Sequence, residues 1–256
     1  MKKRKSWIKW IIGLIIASIL LATCAVIAII QIFDAAKTTL PDPTNQQQVR
    51  EKFIGEIGEV AREVAAEHDL YASVMIAQAS LESHFGTSGL GSEPNYNLYG
   101  IKGKYDNQSV KMKTQEDDGK GNMSTIKADF RKYPDYHASM EDYAALLAKG
   151  TSWNKDIYAD TFKTNARTYQ EATEALTGSY ATDSSYAEKL NALIEQYDLE
   201  AYDTSATKKI VRAKFFDNVE DIAKEYNISE TLIRQWNHLT TNELKKEDKV
   251  ILYISQ

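Results

Sequence analysis

The chain has little of several things, and each shortage excludes something. Among its 256 residues there is one cysteine, Cys24, so no intrachain disulfide can form in any compartment. Four histidines, His68, His84, His137 and His238, are scattered without metal-ligand spacing, and the sequence points to no metal and no other cofactor. With only four prolines and 43% hydrophobic residues, the composition is that of a folded protein rather than a disordered one. Charge is absent altogether from Trp10 to Phe33, 24 residues dominated by Ile, Leu, Ala and Val. About 20 such residues span a bilayer, whereas the apolar core of a cleavable signal is shorter, about 7–15 residues. Leu21-Ala22-Thr23-Cys24 is a poor lipoprotein signal, because threonine precedes the cysteine and the apolar run continues beyond it. Residues 1–34 therefore read as an uncleaved single-pass anchor in the cell membrane. Lys2, Lys3, Arg4, Lys5 and Lys9 keep its tip in the cytoplasm and everything after it outside. That tip carries +5 of a total of −5, leaving −10 on the rest, an acidic exterior that gives no support to a nucleic-acid partner.

What is present is organised around Tyr71 to Lys104. Ser73 to Phe85 reads as a helix that is apolar almost all round, which belongs in a core. Met75, Gln78, Glu82 and Phe85 nevertheless share one stripe, with Gln78 and Glu82 a turn apart and facing the same way. An unpaired charged carboxyl on a buried helix costs several kcal/mol. Gly86, Gly89 and Gly91 then stop the helix and open a loop, which puts Glu82 at a helix end. A solvated Glu on a helix face is the plain alternative; the apolar neighbours make Glu82 a candidate catalytic acid, with a pKa raised by its surroundings.

Ala35 to Gln48 is polar, contains two prolines and reads as a spacer, giving a linker at 35–47. Val49, Phe53, Ile57, Val60 and Val64 mark a helix running to about His68. From Gln108 to Tyr133 the pattern changes to alternation: Val110 and Met112, a Gly119-Lys120-Gly121-Asn122 turn, then Ile126, Ala128 and Phe130, a hairpin inserted in a helical domain. Ser139 to Ala148, Tyr169 to Leu176 and Tyr186 to Tyr197 read as amphipathic helices. Of 15 tyrosines, 14 lie between Tyr71 and Tyr226; such rings suit sugar faces, though core packing accounts for most of them. Glycosidic cleavage needs an acid on the leaving oxygen and a second group across the bond. Glu116, at the end of a hairpin strand, is the best-placed second carboxylate. On spacing alone an acidic turn in water, with Asp117 and Asp118 adjacent, accounts for it better.

Four linked motifs then carry a resemblance. Ala77-Gln78-Ala79-Ser80-Leu81-Glu82-Ser83 with Gly86, Asn97-Leu98-Tyr99-Gly100-Ile101-Lys102, Phe130-Arg131-Lys132-Tyr133, and Tyr180-Ala181-Thr182-Asp183 with Tyr186-Ala187 together resemble glycoside hydrolase family 73 over residues 48–203. The resemblance implies an α+β, mainly helical, lysozyme-like domain with a small β-hairpin lobe. It also implies an endo-β-N-acetylglucosaminidase acting on peptidoglycan glycan strands, an autolysin-type activity. By position, Glu82 matches the general acid, Glu116 the β-lobe glutamate proposed as base, and Tyr180 the tyrosine lining the site near the acid. Gln78, Asn97, Tyr99 and Tyr186 are the candidate substrate-binding residues. Tyr99 stands where the family usually has Phe. The second catalytic role falls to Glu116 or to the substrate's own acetamido group.

The last 50 residues read as a separate module, 207–256. A strand at Ile210-Val211 leads to a helical face of Val219, Ile222, Ala223 and Tyr226. Ser229 offers an N-cap to a second helix with Leu232, Ile233 and Trp236, and Val250 to Ile254 closes as a strand. This βααβ order is similar to a LysM domain, which implies binding of GlcNAc-containing glycans on the cell-wall side of the membrane. Phe216-Asp217 replaces the usual Gly-Asp, and Lys246-Glu247-Asp248 replaces a glycine before the last strand, so a helical cap with no ligand is the competing reading. For the whole chain the rivals are a muramidase or lytic transglycosylase of the same fold, and a non-catalytic wall-binding protein.

Overall fold

A computed structural model describes residues 43–117 and 123–255. The expected anchor, most of the linker and the hairpin turn lie outside the described residues. Among those described, no helix is long and apolar enough to cross a membrane. Helix α1 (Pro43–Glu67) starts inside the expected linker. Proline suits a first helical turn, where its missing N–H has no partner to lose. From residue 47 onward the chain forms one compact unit. Phe53, Ile54, Ile57, Ala61 and Val64 bury one stripe of α1, while Val49, expected on it, stays exposed.

Helix α2 (Ala72–Glu82) is the centre of the core, with every residue from Ala72 to Ser80 buried. Its own N-cap, Tyr71, has no capping side chain. Asp203, far along the chain, accepts from the Ser73 backbone N–H at 2.8 Å and from Ser73 Oγ at 2.7 Å instead. The helix stops at Glu82, three residues before the expected Phe85. Ser83 Oγ donates back to the Ala79 carbonyl at 2.5 Å and accepts from the Gly86 N–H at 2.8 Å. His84, Phe85 and Gly86 then turn left-handed with φ of 52°, 54° and 70°. Gly86 is required twice over, since a Cβ there would also lie 2.5 Å from the Phe53 ring. Phe85 thus leaves the Gln78–Glu82 stripe and meets Phe53 and Tyr197 edge-on.

Strands β1 (Ser109–Asp117) and β2 (Met123–Arg131) form the expected antiparallel hairpin. Val110 stands opposite Phe130, Met112 opposite Ala128 and Thr114 opposite Ile126, so the alternating apolar positions share one face. The loop after α2 is tied to the hairpin base: the Arg131 N–H donates to the Ile101 carbonyl and the Gly103 N–H to the Asp129 carbonyl. Helices α3 (Tyr136–Lys149), α4 (Tyr169–Leu176) and α5 (Tyr186–Gln196) complete the helical lobe. Asp135 and Thr168 cap the first two through the Ala138 and Glu171 N–H groups.

The C-terminal segment has the expected order β3 (Ala206–Arg212), α6 (Val219–Tyr226), α7 (Glu230–Asn237) and β4 (Lys249–Ser255), with β3 and β4 antiparallel. It has a small core of its own around Val219, Ile222, Ile233, Val250 and Leu252. It also packs against the helical lobe. Leu232 and Trp236 belong to the main core. Gln235, fully buried, accepts from Tyr202 Oη at 3.1 Å and donates to the Tyr197 carbonyl at 3.0 Å. Arg234 grips the buried Glu51 with two nitrogens, at 3.1 and 3.3 Å. Two glycines on α1 make this approach possible: a Cβ on Gly55 would stand 2.1 Å from the Gln235 carbonyl oxygen, and one on Gly58 2.4 Å from the Tyr202 ring. None of this was legible from periodicity, because Gly55 and Gly58 sit in a helix they would ordinarily weaken.

Gly55→Ala should therefore destabilise the chain despite the better helix propensity of alanine. An overpacking cost of about 1–3 kcal/mol corresponds to a fall in Tm of about 2–12 °C. Limited proteolysis near residue 205 should accelerate in parallel. A higher Tm would show that α7 does not rest on α1.

Candidate active site

Glu82 closes α2, and everything that fixes its carboxyl comes from buried tyrosines. Tyr186, at the start of α5, donates its hydroxyl to Glu82 Oε1 at 2.8 Å. Gln78, one helical turn before Glu82, donates Nε2 to the Tyr186 hydroxyl oxygen at 3.1 Å. Tyr143 on α3 in turn donates to Gln78 Oε1. The result is one directed hydrogen-bond chain, Tyr143 to Gln78 to Tyr186 to Glu82. Around it the rings stack: Tyr99 on Tyr143 with centroids 4.0 Å apart, and Tyr180 on Tyr186 at 6.3 Å. Tyr143 and Tyr158 meet Tyr180 at 6.0 and 6.3 Å.

Glu82 as a residue is open to solvent, while its carboxyl leans on this packed cluster. Desolvation is the largest influence and pushes its pKa above the ordinary carboxyl value, outweighing the Tyr186 hydrogen bond and the nearby His84, which pull it down. Burial first, then the Glu82 charge, pushes the Tyr186 phenol far up, so Tyr186 is always a donor here.

The predicted site residues divide by depth. Gln78, Asn97, Tyr99 and Tyr186 are 0%, 1%, 3% and 3% exposed. They support the site from beneath rather than presenting a face to a sugar. Asn97 spends its amide on the backbone, donating to the Ile101 and Arg131 carbonyls at 2.9 and 2.8 Å and accepting from the Ile101 N–H at 3.0 Å. It pins the loop after α2 to the hairpin. Tyr99 reaches the Met75 carbonyl at 3.4 Å. Tyr180, half-buried, donates to the Tyr99 carbonyl at 2.9 Å, so the tyrosine bonded to Glu82 is Tyr186, not Tyr180. Glu116 stands opposite Ser124 in the hairpin register, and its side chain lies outside the described residues. Tyr143 was missed by sequence reading, because a tyrosine on the inner face of an amphipathic helix looks like any core residue. The histidine spacing also hid one cluster: Glu67, His68 and Glu141 bring ligand atoms within 4.8 Å of one another. Within it, His68 Nε2 lies 3.0 Å from Glu141 Oε2, both side chains partly buried.

A helical lobe with a small β-hairpin and a helix-end glutamate held by buried tyrosines is the architecture of a glycoside hydrolase. Residues 58–199 match the glucosaminidase family model, described as mannosyl-glycoprotein endo-beta-N-acetylglucosaminidase, and the chain belongs to that family. It is 40% identical over 225 residues to an autolysin of Enterococcus faecalis, covering 78% of this chain and 30% of that protein. It is 39% identical over 206 residues to the exo-glucosaminidase LytG of Bacillus subtilis, covering 79% and 68%. The crystal structure of the catalytic domain of the autolysin Auto from Listeria monocytogenes superposes with a TM-score of 0.58 at 48% identity, covering 68% of this chain and 96% of that one. The chain spans about a third of the length of several curated relatives it matches, namely 30%, 28% and 37%.

A carboxyl whose folded pKa is raised contributes stability that is present below its unfolded pKa and lost as pH rises through the folded one. Glu82→Gln should therefore raise Tm at neutral and alkaline pH, with the gain vanishing in acid, where Glu82 is neutral too. Thermal melts across pH test this, and a gain that persists at low pH would rule out desolvation as the cause.

Proposed function

We propose that this chain is a peptidoglycan hydrolase that cuts the glycan strand as an endo-β-N-acetylglucosaminidase and leaves GlcNAc at the new reducing end. The observation that carries the reading is Glu82 itself, a solvent-reachable carboxyl pushed toward its neutral form by desolvation and held by a buried tyrosine. Such a group can deliver a proton to the leaving glycosidic oxygen. The named relatives support the substrate class: the Bacillus protein is a glucosaminidase and the Enterococcus protein an autolysin. Glu116 or the substrate's acetamido group supplies the second function. The uncharged run from Trp10 to Phe33 anchors the chain, with the catalytic and C-terminal segments on the cell-wall side. The βααβ segment is LysM-like and holds GlcNAc-containing glycan, though its seating against α1 makes it a fixed part of the body rather than a tethered second site.

Purified peptidoglycan digested with the full chain, reduced with borohydride and hydrolysed should yield glucosaminitol. Muramitol would make the enzyme a muramidase, and an anhydro-muramic end a lytic transglycosylase. Release of disaccharide alone from strand ends would place it with exo-acting enzymes. Glu82→Gln should lose at least the 10²–10⁴-fold, roughly, that general acid catalysis contributes, and activity should fall as pH rises through the raised Glu82 pKa. Glu116→Gln should cost less; equal loss in both, with folding intact, would make Glu116 an indispensable base.

A further inference from the structure

The chain that ends on Glu82 has a direction, and the direction decides which carboxyl oxygen can carry the acid proton. Gln78 has one acceptor and one donor end, and both are used: Oε1 accepts from Tyr143 and Nε2 donates to Tyr186. The Tyr186 oxygen is therefore already an acceptor toward Gln78, and its own hydrogen has Glu82 Oε1 as its acceptor, at 2.8 Å. A proton on Oε1 would weaken it as the acceptor of the Tyr186 hydrogen, for which no other hydrogen bond is formed among the described residues. Were the Gln78 amide turned over, its Oε1 would face Tyr186, the Tyr186 hydrogen would swing away from Glu82, and Oε1 could take the proton instead. Tyr143 opposes that, because turning the amide takes away Gln78 Oε1, the acceptor of the buried Tyr143 hydrogen, and no other hydrogen bond of that hydroxyl is formed among the described residues. Glu82 Oε2 makes no hydrogen bond with the described residues.

We propose that Tyr143 is a positioning residue of this enzyme: by holding the Gln78 amide it favours donation from Tyr186 to Glu82 Oε1 and so places the transferable proton on Oε2. This rests on Glu82 being the general acid. When the glycosidic C–O bond breaks, its electron pair stays on the leaving oxygen, the Oε2 proton goes to that oxygen, and the new charge on Glu82 meets a donor already in place. No group has to turn during the step. The titratable groups facing Glu82 among the described residues are His84 on its own segment, Tyr143 on α3, Tyr180 before α5 and Tyr186 on α5. Of these only His84 is basic, and it is the same in every variant compared.

The test is Tyr143→Phe, Tyr186→Phe and the double variant in the full chain, assayed on solubilised glycan strands. Tyr143→Phe keeps the ring that stacks on Tyr99. It should lower kcat by about three- to tenfold, the worth of one hydrogen bond, leave KM unchanged and move the alkaline limb of the rate profile to higher pH. Tyr186→Phe should move the limb the same way, and the double variant should be no worse than Tyr186→Phe, because both act through one chain. An unshifted limb in Tyr143→Phe, or losses that multiply in the double variant, would overturn the proposal. If Tyr143→Phe does not fold, Tyr186→Phe decides alone: an unmoved limb there overturns it equally. Glu82→Gln run alongside separates the two levels. Activity surviving in Glu82→Gln would remove the acid and the proposal with it, whereas a dead Glu82→Gln beside an unaltered Tyr143→Phe removes the proposal only.

Discussion

The hydrogen bond from Tyr186 to Glu82 is where two opposed effects on one carboxyl meet. A proton donor near neutral pH has to be reluctant to ionise, which calls for desolvation. It also has to tolerate the charge left after the proton is gone, which calls for a donor. Packing Glu82 against a cluster of tyrosines supplies the first, and the phenol at 2.8 Å supplies the second. Desolvation is the larger effect, so the balance is shifted toward the acid form. A phenylalanine at 186 would give desolvation alone; a lysine would hold the carboxylate charged and end its use as an acid.

That balance is only as good as the placement of α2, and its placement is secured at both ends by distant parts of the chain. At its N-terminus Asp203 accepts two hydrogen bonds from Ser73. Burial pushes the Asp203 pKa up while the Ser73 bonds pull it down, the same opposition seen at Glu82 at the other end of the same helix. The residue before Asp203 is Tyr202, whose hydroxyl reaches Gln235 on α7. The C-terminal segment therefore bears on the helix that carries the acid through contiguous buried contacts. It is part of what holds the site, whatever it binds on its outer face.

Element positions were largely legible in the sequence, because periodicity and caps decide them locally. Ser229 starts a helix as expected, and Val110 and Met112 fall on one face of the expected hairpin. Glu82 stood out in the sequence because its helix neighbours are Val, Met, Ile, Ala and Leu, against the plain alternative of a solvated glutamate. What could not be read was depth. Asn97 and Tyr99 sit in a glycine-rich loop that looks like a binding surface, yet Asn97 turns inward to satisfy backbone groups that the loop would otherwise leave unpaired. The seating of α7 on α1 depends on two glycines meeting a carbonyl and a ring from more than a hundred residues away. No local pattern encodes such a contact. Phe85 shows the same limit at shorter range: three left-handed residues took it off a stripe that its spacing placed it on.

The choice of tyrosine rather than phenylalanine around Glu82 has a consequence beyond packing. A buried phenol costs free energy unless its hydrogen finds an acceptor, so each one fixes a direction as well as a volume. Tyr180 donates to the Tyr99 carbonyl, Tyr99 reaches the Met75 carbonyl, Tyr143 donates to Gln78 and Tyr186 to Glu82. The first two end on backbone, and their hydroxyls only anchor rings; at 3.4 Å the Tyr99 bond is long, so the phenylalanine usual at that position would serve as well. The last two end on side chains whose orientation they determine. Within one aromatic cluster, then, the rings of Tyr99 and Tyr180 shape the floor, while the hydroxyls of Tyr143 and Tyr186 decide how the carboxyl is presented.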